Sequence, residues 1–110
     1  MVKREQAVTE QDLEQLSSLF RLLSDKTRLS ILLRLAGGER NVTTLCEELG
    51  LPQPTVSHHL GLLRMNNVVG NRRNGKQVFY ALNGVSEFDP SNVMEFLVQN
   101  LIVQVKQRIR

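Results

Sequence analysis

At 110 residues, 41% hydrophobic and 23% charged, the chain has the composition of a soluble globular protein with one modest core. Its single cysteine excludes an internal disulfide framework, and no apolar run approaches the roughly 18 residues a membrane span needs. The start, MVKREQAVTEQ, lacks the apolar stretch of a secretion signal, so a reducing, cytoplasmic setting is expected. The net charge of +3 matters less than its placement. No acidic residue falls between Glu48 and Glu87, whereas Arg64, Arg72, Arg73 and Lys76 all do. A middle third of one sign is what a surface facing a polyanion requires.

In chain order, residues 10–23 carry Leu13, Leu16, Phe20 and Leu23 at helical spacing, with acids in the first turn where the helix dipole favours them. Ser24 or Asp25 caps a second helix, about 25–36, whose Leu29, Leu32, Leu33 and Ala36 are expected to face inward. Gly37-Gly38 stops it. A short third helix, about 42–49, puts Val42, Leu45, Cys46 and Leu49 on one face, with Gly50 just past its end. The fourth, 53–66, tolerates Pro54 in its first turn. Along it Val56, Leu60 and Leu63 form an apolar stripe. His59 borders that stripe and His58 points away, since neighbours on a helix diverge by about 100°.

Beyond the fourth helix the period changes. Residues 68–82 hold two short strand-like runs around Asn74-Gly75, a dipeptide favoured in two-residue type I′ hairpins, with Val78, Tyr80 and Leu82 alternating on one face. Asp89-Pro90 marks a turn, and 91–109 reads as a last helix. Its Val93, Phe96, Leu97, Leu101, Ile102, Val105 and Ile109 cover more circumference than one small core needs, which suggests a partner chain. The expected fold is mainly α with a small β-hairpin: a winged helix-turn-helix of about five helices and a two-stranded wing. It forms a single domain over residues 1–110, with terminal helices (about 10–23 and 91–109) for dimerisation.

In such a unit the second helix of the pair enters the major groove with its N-terminal residues at base edges. Gln53, Thr55, Ser57 and His58 occupy that end. Gln suits adenine edges, and Ser and Thr suit bases or phosphates; capping the helix is the alternative task for the three short polar groups. His59 suits a half-buried structural ring, with a backbone or phosphate contact second. Arg64, Arg72, Arg73 and Lys76 are candidate phosphate or minor-groove contacts. Arg28 fits either a structural ion pair or a phosphate anchor, and Cys46 a buried inert thiol. Neither histidine has an acid or nucleophile paired with it in sequence, so no enzymatic chemistry is expected.

The segments LSDKTRLSILLRLAGGE (23–39), LCEELGLPQPTVSHHLGLLR (45–64) and RRNGKQVFYAL (72–82) resemble the ArsR/SmtB family of bacterial winged-helix repressors. The resemblance extends over roughly residues 12–105. It implies a homodimer on pseudo-palindromic, double-stranded operator DNA, released by an inducer that in this family is often a metal or metalloid ion. It also implies a dimer contact made by the first and last helices, here through Leu13, Leu16, Phe20, Leu97, Leu101 and Val105. Where many metal-sensing members carry a Cys-x-Cys pair at the start of the third helix, this chain has Asn41 and Thr43. Where others place Asp and His ligands on the last helix, it has Pro90 and Asn92. With two histidines and one cysteine the donor set tells against a metal site, so no cofactor and no metal are expected and the inducer is unidentified. Two alternatives stay open: metal sensing through carboxylates with or without a histidine, and a winged-helix module that binds protein.

Overall fold

The computed structural model describes residues 8–83, 93–98 and 101–106. Helix α1 (Glu10–Leu23) begins at a capping box. The Thr9 hydroxyl accepts from the Asp12 amide at 3.1 Å, and the Asp12 carboxylate accepts from the Thr9 amide at 3.0 Å. Between α1 and α2 (Lys26–Ala36) the two candidate caps divide the work. The Ser24 hydroxyl donates to the Arg21 carbonyl at 2.7 Å and closes α1, while the Asp25 carboxylate accepts from the Arg28 amide at 3.1 Å and opens α2.

A two-residue strand, β1 (Arg40–Asn41), leads directly into α3 (Val42–Leu49). Asn41 caps that helix, its side-chain oxygen accepting from the Thr44 amide at 2.7 Å. Gly50 ends α3 in the left-handed region at φ 65°, a conformation that costs a side-chain-bearing residue and lets the chain reverse within two residues. Helix α4 (Gln53–Met65) follows.

Strands β2 (Val69–Asn74) and β3 (Gln77–Leu82) form the hairpin, and β1 adds to its far side, giving a three-stranded antiparallel sheet in the order β1-β3-β2. The third strand escapes sequence periodicity because two residues cannot show one. The hairpin turn differs by one residue from its expected form. Asn74 pairs with Gln77, so Gly75 and Lys76 are the loop residues. Gly75 has φ 64° and Lys76 does not have positive φ, which is the pattern of a type II′ turn rather than type I′.

The core gathers Leu19 and Leu23 of α1, Ile31, Leu32 and Leu35 of α2, Leu45 of α3, Val56, Leu60 and Leu63 of α4, and Val68, Val69 and Leu82 from the wing's base. On α2 the inward stripe is therefore not the expected one. Leu32 is buried, but Leu29 and Leu33 are exposed and Ala36 is only partly covered. This helix is apolar on two sides, and periodicity alone cannot say which side meets the core.

The larger correction is at the C-terminal end. No helix spans 91–109; the described part consists of β4 (Val93–Val98) and β5 (Leu101–Lys106), an antiparallel pair in which Val98 meets Leu101 and Met94 meets Val105. The structure thus has four described helices, not five. Val93, Val98, Ile102, Val103 and Val105 are β-branched, and such side chains lose χ1 freedom in a helix but fit a pleated strand. The wide apolar circumference read as a two-sided helix is what strand segments give when drawn on a helical wheel. Of the expected dimer residues, Leu97, Leu101 and Val105 consequently lie on strands, with β4 beside α1. Pro90, Asn92 and Ile109 lie outside the described residues.

Candidate nucleic-acid interface

Helix α4 is held by its apolar face, where Val56, Leu60 and Leu63 are fully buried. That burial turns the other face outward and determines what it can meet. Gln53 and His58 are exposed, Thr55 and Ser57 half-buried. No side chain caps the helix at Pro52, so capping is not the work of Gln53, Thr55 or Ser57. Instead the Gln53 side-chain amide donates to the Ser57 hydroxyl at 3.2 Å, one turn along. The α4 N-terminus thus offers the backbone N–H groups of Gln53 and Thr55 with no side-chain acceptor among the described residues, an arrangement favourable to anions.

The histidines part as the helical wheel indicates. His58 is exposed and His59 half-buried, with ring centroids 5.4 Å apart and planes at 64°. Arg28 Nη1 lies 3.3 Å from His59 Nδ1, and Arg28 Nε donates to the Leu22 carbonyl at 2.6 Å. A guanidinium has only donors, so in this contact Nδ1 is the acceptor. Arg28 is therefore a structural tie joining the end of α1, α2 and α4. Sequence spacing left its role open because its partner is 31 residues away.

Three of the four candidate cations, Arg64, Arg73 and Lys76, are exposed and have no carboxylate partner among the described residues. Arg72 does have one. Its Nε and Nη2 donate to the two Glu39 carboxylate oxygens at 2.8 and 2.7 Å, and its guanidinium carbon stands 4.7 Å from the Phe79 ring centroid. The hydrogen bonds from Arg72 hold the Glu39 carboxyl below its ordinary range and raise the arginine in turn. Glu39 is a residue the sequence reading missed. It sits outside the acid-free stretch and 33 positions from its partner, so only the sheet brings them together.

Among the described residues no group of three His, Cys, Asp or Glu is placed to hold a metal ion. Asn41 is occupied as the α3 cap, and Thr43 is exposed. Cys46 packs partly buried against the core. No described helix is long and apolar enough to cross a membrane.

Residues 25–69 match the model of the bacterial regulatory protein, arsR family. KmtR, an HTH-type transcriptional regulator of Mycobacterium tuberculosis, is 47% identical over 64 residues, which is 58% of this chain and 49% of that protein. The biofilm growth-associated repressor of Xylella fastidiosa is 39% identical over 79 residues, covering 68% of this chain and 69% of the repressor. Among solved structures, the homodimeric winged helix-turn-helix DNA-binding domain Mb0332 of Mycobacterium bovis superposes with a TM-score of 0.62 at 33% identity, over 66% of this chain and 67% of that one. The family match lies across α2, α3 and α4 and ends at Val69, the first residue of β2. The chain belongs to the ArsR family of bacterial regulatory proteins, DNA-binding transcriptional regulators of winged helix-turn-helix fold.

Proposed function

We propose that the chain works in the cytoplasm as a homodimeric repressor, without enzymatic activity, that reads a two-fold-symmetric operator and releases it in response to an inducer of unassigned chemistry. Gln53, Thr55, Ser57 and His58 meet base edges from the N-terminal half of α4. Arg64, Arg73 and Lys76 meet phosphate, and His59 keeps the helix seated through Arg28. One observation carries this reading: an uncapped helix end with exposed Gln53 and His58 stands in a stretch free of acids, beside exposed cations on α4 and the wing that have no carboxylate partner among the described residues. Each protomer places one such helix in a major groove, and two-fold symmetry sets the half-sites about one helical turn apart.

Selection of bound sequences from random duplexes tests the proposal. A palindromic motif with half-sites spaced by one turn is the expected outcome. Failure to enrich any motif, together with binding that ignores salt, would favour a winged-helix module that binds protein.

A further inference from the structure

The wing carries two adjacent arginines, and strand alternation sends them to opposite faces of the sheet. Arg73 lies opposite Val78 and Arg72 opposite Phe79. From β2, Arg72 reaches over the Phe79 ring on the central strand to Glu39, the residue immediately before β1 on the far side. One side chain thus spans all three strands. The junction it spans is slender, since β1 pairs with β3 only at Arg40–Tyr80 and Asn41–Phe79. On its other flank β1 is tied to α3, where Arg40 Nε donates to the Glu48 carboxylate at 3.3 Å. A chain of contacts therefore runs from the wing through β1 to the first helix of the helix-turn-helix.

We infer that Arg72 is a positioning residue: the Arg72–Phe79–Glu39 bridge sets the pitch of the wing against α3 and α4, while Arg73 and Lys76 deliver the wing's charge to DNA. The inference rests on the DNA-binding reading above. Its physical basis is directional. A guanidinium that forks onto both oxygens of a carboxylate while lying over a ring has its orientation specified, and a lysine ammonium can supply neither feature. Exposed ion pairs add little stability, so the effect of this one is expected in geometry rather than in the fold. To take a phosphate instead, Arg72 would have to abandon a neutralised pair.

The test is salt-dependent binding of a fluorescent duplex carrying the selected motif, and of a mixed-sequence duplex, by wild type, R72A, R72K, E39A, R72A/E39A and R73A. Thermal melting verifies that each variant is folded. R72A and E39A are each expected to weaken binding about three- to tenfold, the double variant no further, because both break one bridge. R72K does not restore affinity, and the salt slopes of R72A and E39A stay at the wild-type value while that of R73A flattens. The E39A sign is decisive, since removing an acid near DNA would otherwise tighten binding. Tighter binding by E39A, or a flattened slope in R72A with rescue by R72K, overturns the inference and makes Arg72 a phosphate contact. If wild type shows no salt-dependent binding to either duplex, the DNA-binding reading itself fails.

Discussion

His58 and His59 are adjacent in sequence and unlike in circumstance, because helix geometry turns one outward and the other toward Arg28. The same separation predicts two classes of variant on the interface. Gln53→Ala or His58→Ala should cost affinity mainly at the specific site, about 1–3 kcal/mol per lost base contact. Arg73→Ala or Lys76→Ala should weaken specific and mixed-sequence DNA alike. With Arg64, Arg73 and Lys76 of both protomers on phosphate, the log–log salt slope is about −5, and each substitution removes about two units per dimer. Titration of each variant against operator and scrambled duplex measures both quantities, and specificity lost in the wing variants alone would reverse the assignment. Asp25 supplies a prediction of another kind. The Arg28 amide hydrogen bond, with the nearby Arg28 charge, holds its carboxyl below the ordinary value of 3.8. A depressed carboxylate contributes stability above its unfolded value and loses it as pH falls through the folded one. The melting deficit of Asp25→Ala should therefore be full at neutral pH and shrink in strong acid.

At the scale of elements, the turn of the wing depends on one torsion. Gly75 sits at φ 64° at the first loop position, where a β-branched residue is strained. Gly75→Val should destabilise the protein by about 1–2 kcal/mol, read from urea denaturation, and weaken DNA binding through the displaced Lys76. An unchanged midpoint would show that the hairpin does not need this turn. Helices α1, α3 and α4 were legible from their periods and terminating residues: the Leu13–Leu16–Phe20–Leu23 spacing, Gly50 and the Val56–Leu60–Leu63 stripe each act locally, whereas the Thr9 and Asn41 caps emerged only in the structure. The interior face of α2 was not, because Leu29 and Leu33 compete with Ile31 and Leu35 and only packing chooses between them. The segment after Asp89 misled for a related reason. Dense apolar residues satisfy either period, and the β-branched content that marks β4 and β5 is a weaker signal than the amphipathic count.

For the whole molecule, the side chains left uncovered bear on assembly. Leu19 and Leu23 of α1 are buried within the protomer, whereas Leu13 and Phe20 remain 50% and 56% exposed. Leu16, expected among the dimer contacts, is partly buried against the protomer's own core. Covering Leu13 and Phe20 with a second copy would gain about 1 kcal/mol for each, roughly half the value for full burial because half of each is already covered. The double variant Leu13→Asp, Phe20→Asp should sediment as a monomer at concentrations where wild type is a dimer, and lose at least about tenfold in operator affinity, because one protomer reads only one half-site. A variant that stays dimeric would place the contact elsewhere, with β4 and β5 the next surface to probe.

Much of the candidate interface was determined by the sequence alone, because its signals are local. The acid-free stretch from Leu49 to Ser86, the polar residues opening α4 and the Asn-Gly hairpin cue all lie within a few residues of what they specify. The tertiary structure decided which of those residues are available. Arg72 and Arg73 are indistinguishable neighbours in sequence, yet the sheet gives one to Glu39 and Phe79 and leaves the other without a carboxylate partner among the described residues. Arg28 likewise becomes a tie only when α4 brings His59 to it. Local chemistry determines what a side chain can do, but a partner more than 30 positions away is chosen by the packing of elements, which no short window of sequence contains.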